Sequence, residues 1–222
     1  MNLKLYCTYH SPNLIDEYNL KDDEIHTHFP SYDTSINGTN INYTNPILCE
    51  VVTLYYVWKN RLFSEFVGFE HYRRKFDTKN ISELDYNQCY VQKLLHDDRP
   101  IKYSFYVDHY AHTYNMCLFL LKYKYNNIEL YNTMNSTVHF IPFNNFIMSY
   151  DKFEEMCEIV FPILFDLDTI YNGEFSIDKY VKIFDDNYYD ARQLAFLAER
   201  LISCYIITYF GLDNIIVQDN DE

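Results

Sequence analysis

Two apolar stretches with strand character, LKLYCTY at Leu3 to Tyr9 and SEFVGFEH at Ser64 to His71, bracket a segment whose apolar residues recur at helical spacing. That segment opens on Asn45-Pro46, an N-cap residue followed by proline at the first helical position. It carries Ile47, Val51, Leu54, Tyr55 and Trp58 along one stripe, so the spacing predicts a helix over about 46–60. A strand, a helix and a second strand in that order direct the chain toward layered α/β structure. The polar, Asn-rich residues 32–45 between the first strand and the helix read as an exposed connection that a ligand could order.

The remainder continues the alternation. A short strand is predicted around Cys89 to Val91, and helical periodicity runs from Tyr103 to about Lys124 with one break. A short helix follows at Ile128 to Asn135, then over Val138 to Met148 a strand, a kink at Pro142, and a second strand or a continuation of the first. Asp151 is placed to cap a helix reaching about Tyr171. Tyr189 to Phe210 reads as a second long helix, with Ala191, Leu194, Ala198, Leu201 and Tyr205 on one face. No repeat or linker divides the 222 residues, a length that one core can serve. The expected architecture is a single-domain α/β sandwich over residues 1–215, with a mixed, mostly parallel central sheet flanked by helices, ending in a short acidic tail at 216–222.

Composition removes several classes. The four glycines, Gly38, Gly68, Gly173 and Gly211, stand too far apart to write a GxGxxG turn or a GxxxxGK[ST] phosphate cradle, which disfavours Rossmann dehydrogenases and P-loop NTPases. With 18 Lys and Arg against 32 Asp and Glu, the net charge is −14, which disfavours a nucleic-acid binder working by counterion release. Any anionic ligand must be met locally, by a few cations placed against the overall field. The six cysteines form no CxxC pair and read as reduced thiols. MNLKLYCTYH does not read as a signal peptide, and no run reaches the roughly 18 apolar residues of a membrane span. A soluble cytoplasmic protein with no transmembrane segment is the expectation.

The residues that invite chemistry are few. His71-Tyr72-Arg73-Arg74-Lys75 inverts the local charge at the end of a predicted strand, where ligands of open α/β sheets bind. Guanidinium forks suit phosphate oxygens, so Arg73 and Arg74 are candidates to neutralise a diphosphate; the spacing is equally compatible with two arginines balancing nearby carboxylates. Asn144 and Asn145 lie between apolar neighbours, so at least one amide is expected to leave the sheet for a turn or a ligand. Glu199 sits beside the buried stripe of the last helix, two turns after Arg192, and needs a partner; it reads as a structural pair or as a general base. Glu50 and Trp58 read as helix-terminus and core residues. Asp166 and Asp168 imitate an Asp-x-Asp metal motif, but two residues apart on a helix their carboxylates diverge. No histidine set completes a metal-ligand pattern.

Four segments taken together, CEVVTLYYVWKN at 49–60, FVGFEHYRRKF at 66–76, FNNFIMSYDKFEEMCEIVFPILFDL at 143–167 and ARQLAFLAERLI at 191–202, resemble a capsular polysaccharide synthesis domain of unknown function. That family is regarded as GT-A-like glycosyltransferases, so the resemblance implies a nucleotide-binding α/β sandwich and transfer from a UDP-, GDP- or TDP-linked sugar to a glycan or glycoprotein acceptor. Carried onto matching positions, it implies donor binding by Thr8, His10, Lys59, Asn60, Tyr72, Arg73, Arg74, Asn144 and Arg192. Its catalytic residues would be Glu199, His71 and Asn145. Glu199, or else His71, would take the acceptor proton, and Asn145 would orient the sugar or acceptor. A divalent metal, Mn or Mg, is left open, because the arginines can replace it electrostatically. The rival reading is a noncatalytic module that docks an acidic partner through HYRRK; a sugar-phosphate phosphotransferase is a second.

Overall fold

The computed structural model describes residues 2–78, 81, 83–184 and 189–218. Strand β1 (Leu3–Tyr9) leads through α1 (Asn13–Glu17) to β2 (His26–Pro30), then through α2 (Asn45–Leu48) and α3 (Val51–Lys59) to β3 (Phe66–His71). β4 (Cys89–Val91) and β5 (Leu95–His96) precede a helical region of α4 (Ile101–Asp108), α5 (Ala111–Phe119), a π-helical turn at Leu120–Lys124 and α6 (Ile128–Ser136). After β6 (His139–Phe140) and β7 (Phe146–Ser149) come α7 (Tyr150–Tyr171), α8 (Ile177–Ile183), α9 (Gln193–Phe210) and β8 (Ile215–Val217).

The central sheet has six strands in the order β2-β1-β3-β7-β4-β8. β1 pairs in parallel with both β2 and β3, and β8 in parallel with β4, whereas β7 runs antiparallel between β3 and β4. The sheet is therefore mixed and mostly parallel, with helices against it, as expected. β1 is buried along nearly its whole length, as a strand covered on both faces must be. On one face Tyr6, Val67, Phe69, Phe146 and Met148 pack with residues of α3, α7 and α9 in the main core. On the other, Leu3, Leu5, Phe66 and Ile147 meet Phe76, Ile81 and Leu84.

Four local departures from the sequence reading matter. The helix expected over 46–60 breaks at Cys49, which has φ 52° and ψ −135°. The apolar stripe continues across the break, with Ile47, Leu48, Val51 and Val52 all buried, so periodicity alone does not register it. The stretch at 138–148 feeds two different sheets: β6 pairs with β5, β7 joins the central sheet, and the turn between them puts Phe143 and Asn144 at φ 73° and 52°. Ser149, not Asp151, occupies the N-cap of α7, and Asp151 lies in its first turn. Ile216 and Val217, assigned to the tail by sequence, belong to β8; residues 219–222 of that tail lie outside the described residues.

Candidate active site

Because β1 and β3 run parallel in register, Thr8 pairing with His71, their carboxyl ends deliver Thr8-Tyr9-His10 and His71-Tyr72-Arg73 to the same edge of the sheet. A cavity of about 400 Å³ opens there. Besides these residues it is lined by Ser31 after β2, by Asn45, Pro46, Cys49 and Glu50 around the start of α2 and α3, and by Arg192 just ahead of α9. A second cavity of about 610 Å³ adjoins it, and Cys49, Glu50 and Arg192 line both.

The two neighbouring arginines diverge. Arg73 lines the first cavity, its guanidinium 5.1 Å from the Tyr72 ring centroid. Tyr72 itself is buried and held by Tyr18, His10 and His71. Arg74 instead lies over the ring of Phe143 at 3.8 Å, and its carbonyl accepts from Asn145 Nδ2. The second cation of the first cavity is Arg192, whose Nε donates to Cys49 Sγ at 3.0 Å. Among the described residues no carboxylate lies within 4.0 Å of the Arg73, Arg74 or Arg192 guanidinium. In a chain of charge −14, cations left without acids around a cavity mark a place for an anion.

His71 is lowered to about 4 by burial first, then by Arg74, Arg73 and His10, so it is a neutral imidazole at pH 7. Its Nδ1 faces the backbone N–H of Arg73 at 3.3 Å. Thr8 is buried, and its hydroxyl bonds that of Thr53 at 2.8 Å, tying the end of β1 to α3.

Glu199 is half-buried and both its oxygens are engaged. The N–H of Phe143 donates to Oε1 at 2.6 Å, and Arg200 Nη1 donates to Oε2 at 2.6 Å. Burial pushes its carboxyl up, while Arg200 and the Phe143 N–H oppose the rise. Its partner is therefore Arg200, not Arg192. Asn144, on the same turn, donates from Nδ2 to Glu50 Oε1 at 3.1 Å, and its own buried Oδ1 has no partner among the described residues. Asn145 points elsewhere: its Nδ2 donates to Gln92 Oε1 at 2.7 Å, and it lines neither cavity.

Lys59 and Asn60 stand at the other end of α3, about 15 Å from Glu50 at 1.5 Å per residue. The Lys59 ammonium covers the Trp58 ring at 3.4 Å, and Trp58 stacks on Phe161 at 5.4 Å. Asn60 bonds the backbone of Thr39 in both directions and so fastens the 32–45 connection to α3. Asp166 bonds Lys124 and Tyr125, whereas Asp168 accepts from Tyr180 and the Phe175 N–H, so the two carboxylates serve different neighbours. Among the described residues no group of three or more His, Cys, Asp or Glu could hold a metal ion. Glu50 is the single carboxylate among the residues lining the first cavity.

Residues 13–209 match the model of a domain of unknown function, DUF4422. The chain belongs to the DUF4422 family. No curated protein matches it in sequence. Among solved structures, the fold of this DUF4422 chain is similar to that of the WbbM bifunctional glycosyltransferase in its apo form, with a TM-score of 0.71 and 20% identity over 99% of this chain. The chain spans 44% of that protein's length, and at this identity the likeness is one of fold. None of the helices in the described residues is long and apolar enough to cross a membrane.

Several lining residues of the DUF4422 chain escape sequence reasoning. Glu50 carries the ordinary signature of an acid in a first helical turn, which conceals that the Cys49 break turns this position into the wall between two cavities. Asp108, His109, Phe140 and Phe196 of the second cavity come from three separate elements and share no local pattern.

Proposed function

We propose that this chain is a glycosyltransferase of GT-A type that moves a sugar from a nucleotide-sugar donor to a hydroxyl of a glycan acceptor, as in surface-polysaccharide synthesis. The observation that carries the reading is the pair of adjoining cavities, one lined by Arg73 and Arg192, neither within 4.0 Å of a described carboxylate, with Glu50 in the shared wall. The nucleoside lies toward Thr8, Tyr9 and Ser31, with the diphosphate against Arg73 and Arg192. As the bond between the anomeric carbon and the phosphate oxygen breaks, the nucleoside diphosphate departs with the electron pair, and the two guanidiniums stabilise the charge that grows on it.

The acceptor oxygen forms the new bond to the anomeric carbon and gives its proton to Glu50. Glu199 is the weaker candidate for that step, because Phe143 and Arg200 occupy both of its oxygens, whereas no described residue donates to Glu50 Oε2. His71, neutral but weakly basic, serves better as a wall of the phosphate site. Asn144 rather than Asn145 takes the orienting role, through Glu50.

The reading is tested by incubating the purified chain with UDP-, GDP- and TDP-sugars and following release of nucleoside diphosphate with and without added glycans. One donor class should be turned over, with loss of turnover in Arg73→Ala. Absence of turnover and of thermal stabilisation by every nucleotide would leave the docking-module reading in its place.

A further inference from the structure

The second cavity combines a half-buried aromatic wall with a charged rim. Phe196 stacks on His109 with centroids 4.2 Å apart and an 18° angle between the rings. Phe140 and Phe143 contribute further rings, each carrying an arginine over one face, Arg200 at 4.6 Å and Arg74 at 3.8 Å. Exposed Asp108 stands on the rim, and the Arg200 guanidinium spends only its Nη1 on Glu199 and on the Phe196 carbonyl. Apolar surface with a few convergent hydrogen-bonding groups is the composition of a small-ligand site, and 610 Å³ lies within the usual range of such sites.

We infer that this cavity is an acceptor subsite that holds the terminal sugar of a glycan, and that it selects a neutral sugar over an acidic one. The inference rests on the glycosyltransferase reading above and assigns its acceptor side. A sugar ring offers a C–H face to an aromatic ring and hydroxyls around its edge. Phe196 fits the first, and Asp108 with the unspent N–H groups of Arg200 fits the second. Placed there, the sugar borders Glu50 and Arg192, which also line the donor cavity, so one of its hydroxyls can reach the wall where transfer takes place.

Selection for a neutral sugar follows from the charges lining the cavity: the carboxylates of Glu50, Asp108 and Glu199 stand against the guanidiniums of Arg192 and Arg200. His109 adds no positive charge at pH 7, because burial and then Arg200 lower it to about 4. With Arg74 over Phe143, three guanidiniums meet these three carboxylates, and Arg192 is shared with the donor diphosphate, so a uronate would bring an anion to a site with no positive charge to spare.

The test is saturation-transfer NMR of the full chain with the methyl glycosides of glucose, galactose, mannose, rhamnose, N-acetylglucosamine and glucuronic acid, followed by titration of those that bind. At least one neutral glycoside should bind, with transfer strongest at ring C–H protons, and the glucuronide should bind at least about tenfold more weakly. Phe196→Ala and Asp108→Ala should each weaken the neutral glycoside about five- to tenfold while leaving thermal stabilisation by nucleotide within about twofold. Asp108 is exposed, so its variant remains informative should Phe196→Ala fold poorly. Nucleotide binding without binding of any neutral glycoside overturns the subsite and leaves the donor reading standing. Glycoside binding that neither variant changes overturns the placement. Glycoside binding at these residues without any nucleotide binding keeps the subsite and removes the donor reading.

Discussion

Asn144 Nδ2 lies 3.1 Å from Glu50 Oε1, joining the β6–β7 turn to the start of α3 across 94 positions of sequence. Glu199 reaches the same turn from α9 through the Phe143 N–H. Arg200, Glu199, Phe143, Asn144 and Glu50 thus form one continuous chain of contacts that ends at the wall between the cavities. If Glu50 takes the acceptor proton, Glu50→Gln should lower the transfer rate by about 10²- to 10⁴-fold with nucleotide affinity unchanged. Asn144→Ala should give a smaller loss together with an altered pH–rate profile. Steady-state kinetics across pH decide it; a Glu50→Gln enzyme with near-normal turnover would transfer the role elsewhere.

The Glu199–Arg200 pair is largely shielded, with side chains 16% and 11% exposed, so removing one partner leaves the other poorly compensated. Glu199→Ala should cost about 3–5 kcal/mol of unfolding free energy. Replacing both residues by apolar side chains of similar volume should cost less than either single change. Urea denaturation of the two single variants and the double variant measures this directly, and a single variant of native stability would contradict the pairing.

Gly68 lies in the middle of β3 where neighbouring strands approach closely. A Cβ there would stand 2.5 Å from Leu5 Cδ2, 2.7 Å from Ile147 Cγ1 and 3.0 Å from the Phe146 carbonyl oxygen. Gly68→Ala should therefore destabilise by about 1–3 kcal/mol through overpacking of the sheet. Thermal unfolding checks it; an unchanged midpoint would mean that β1 and β7 yield more readily than their packing indicates.

The layers of the fold are written in local patterns. β1, β3, β4 and α7 announce themselves through apolar runs, proline and polar punctuation, and the strand-end position of Arg73 follows directly from β3. What stays hidden is set by single backbone torsions and by distant partners. The Cys49 and Phe143–Asn144 torsions leave the apolar periodicity intact, yet they create the wall that holds Glu50. Arg73 and Arg74 are adjacent and chemically identical in sequence, and the ring of Phe143, 69 positions after Arg74, draws Arg74 away from the cavity that Arg73 lines. Asn60 looks like part of a signature and instead fastens a loop.

His71 is lowered from its ordinary 6.5 to about 4, chiefly by burial, so the folded protein refuses a proton that the unfolded chain accepts between those values. Its contribution to stability is complete above about pH 6.5 and is lost as pH falls toward 4. After allowance for partial solvent screening the loss is on the order of 1–2 kcal/mol. Unfolding free energy measured from pH 7 to pH 4 should fall more steeply for the native chain than for His71→Gln; parallel curves would show that His71 titrates normally.

The central claim, that Arg73 and Arg192 form a diphosphate site while the adjacent Arg74 does not, is tested most directly by calorimetric titration of UDP, GDP and TDP. The measurement compares the native chain with Arg73→Ala, Arg74→Ala and Arg192→Ala. One nucleotide should bind, loss of Arg73 or Arg192 should weaken it about tenfold or more, and loss of Arg74 should change affinity less than about threefold. No binding by any of the three nucleotides, or an Arg74→Ala loss as large as that of Arg73→Ala, would contradict it.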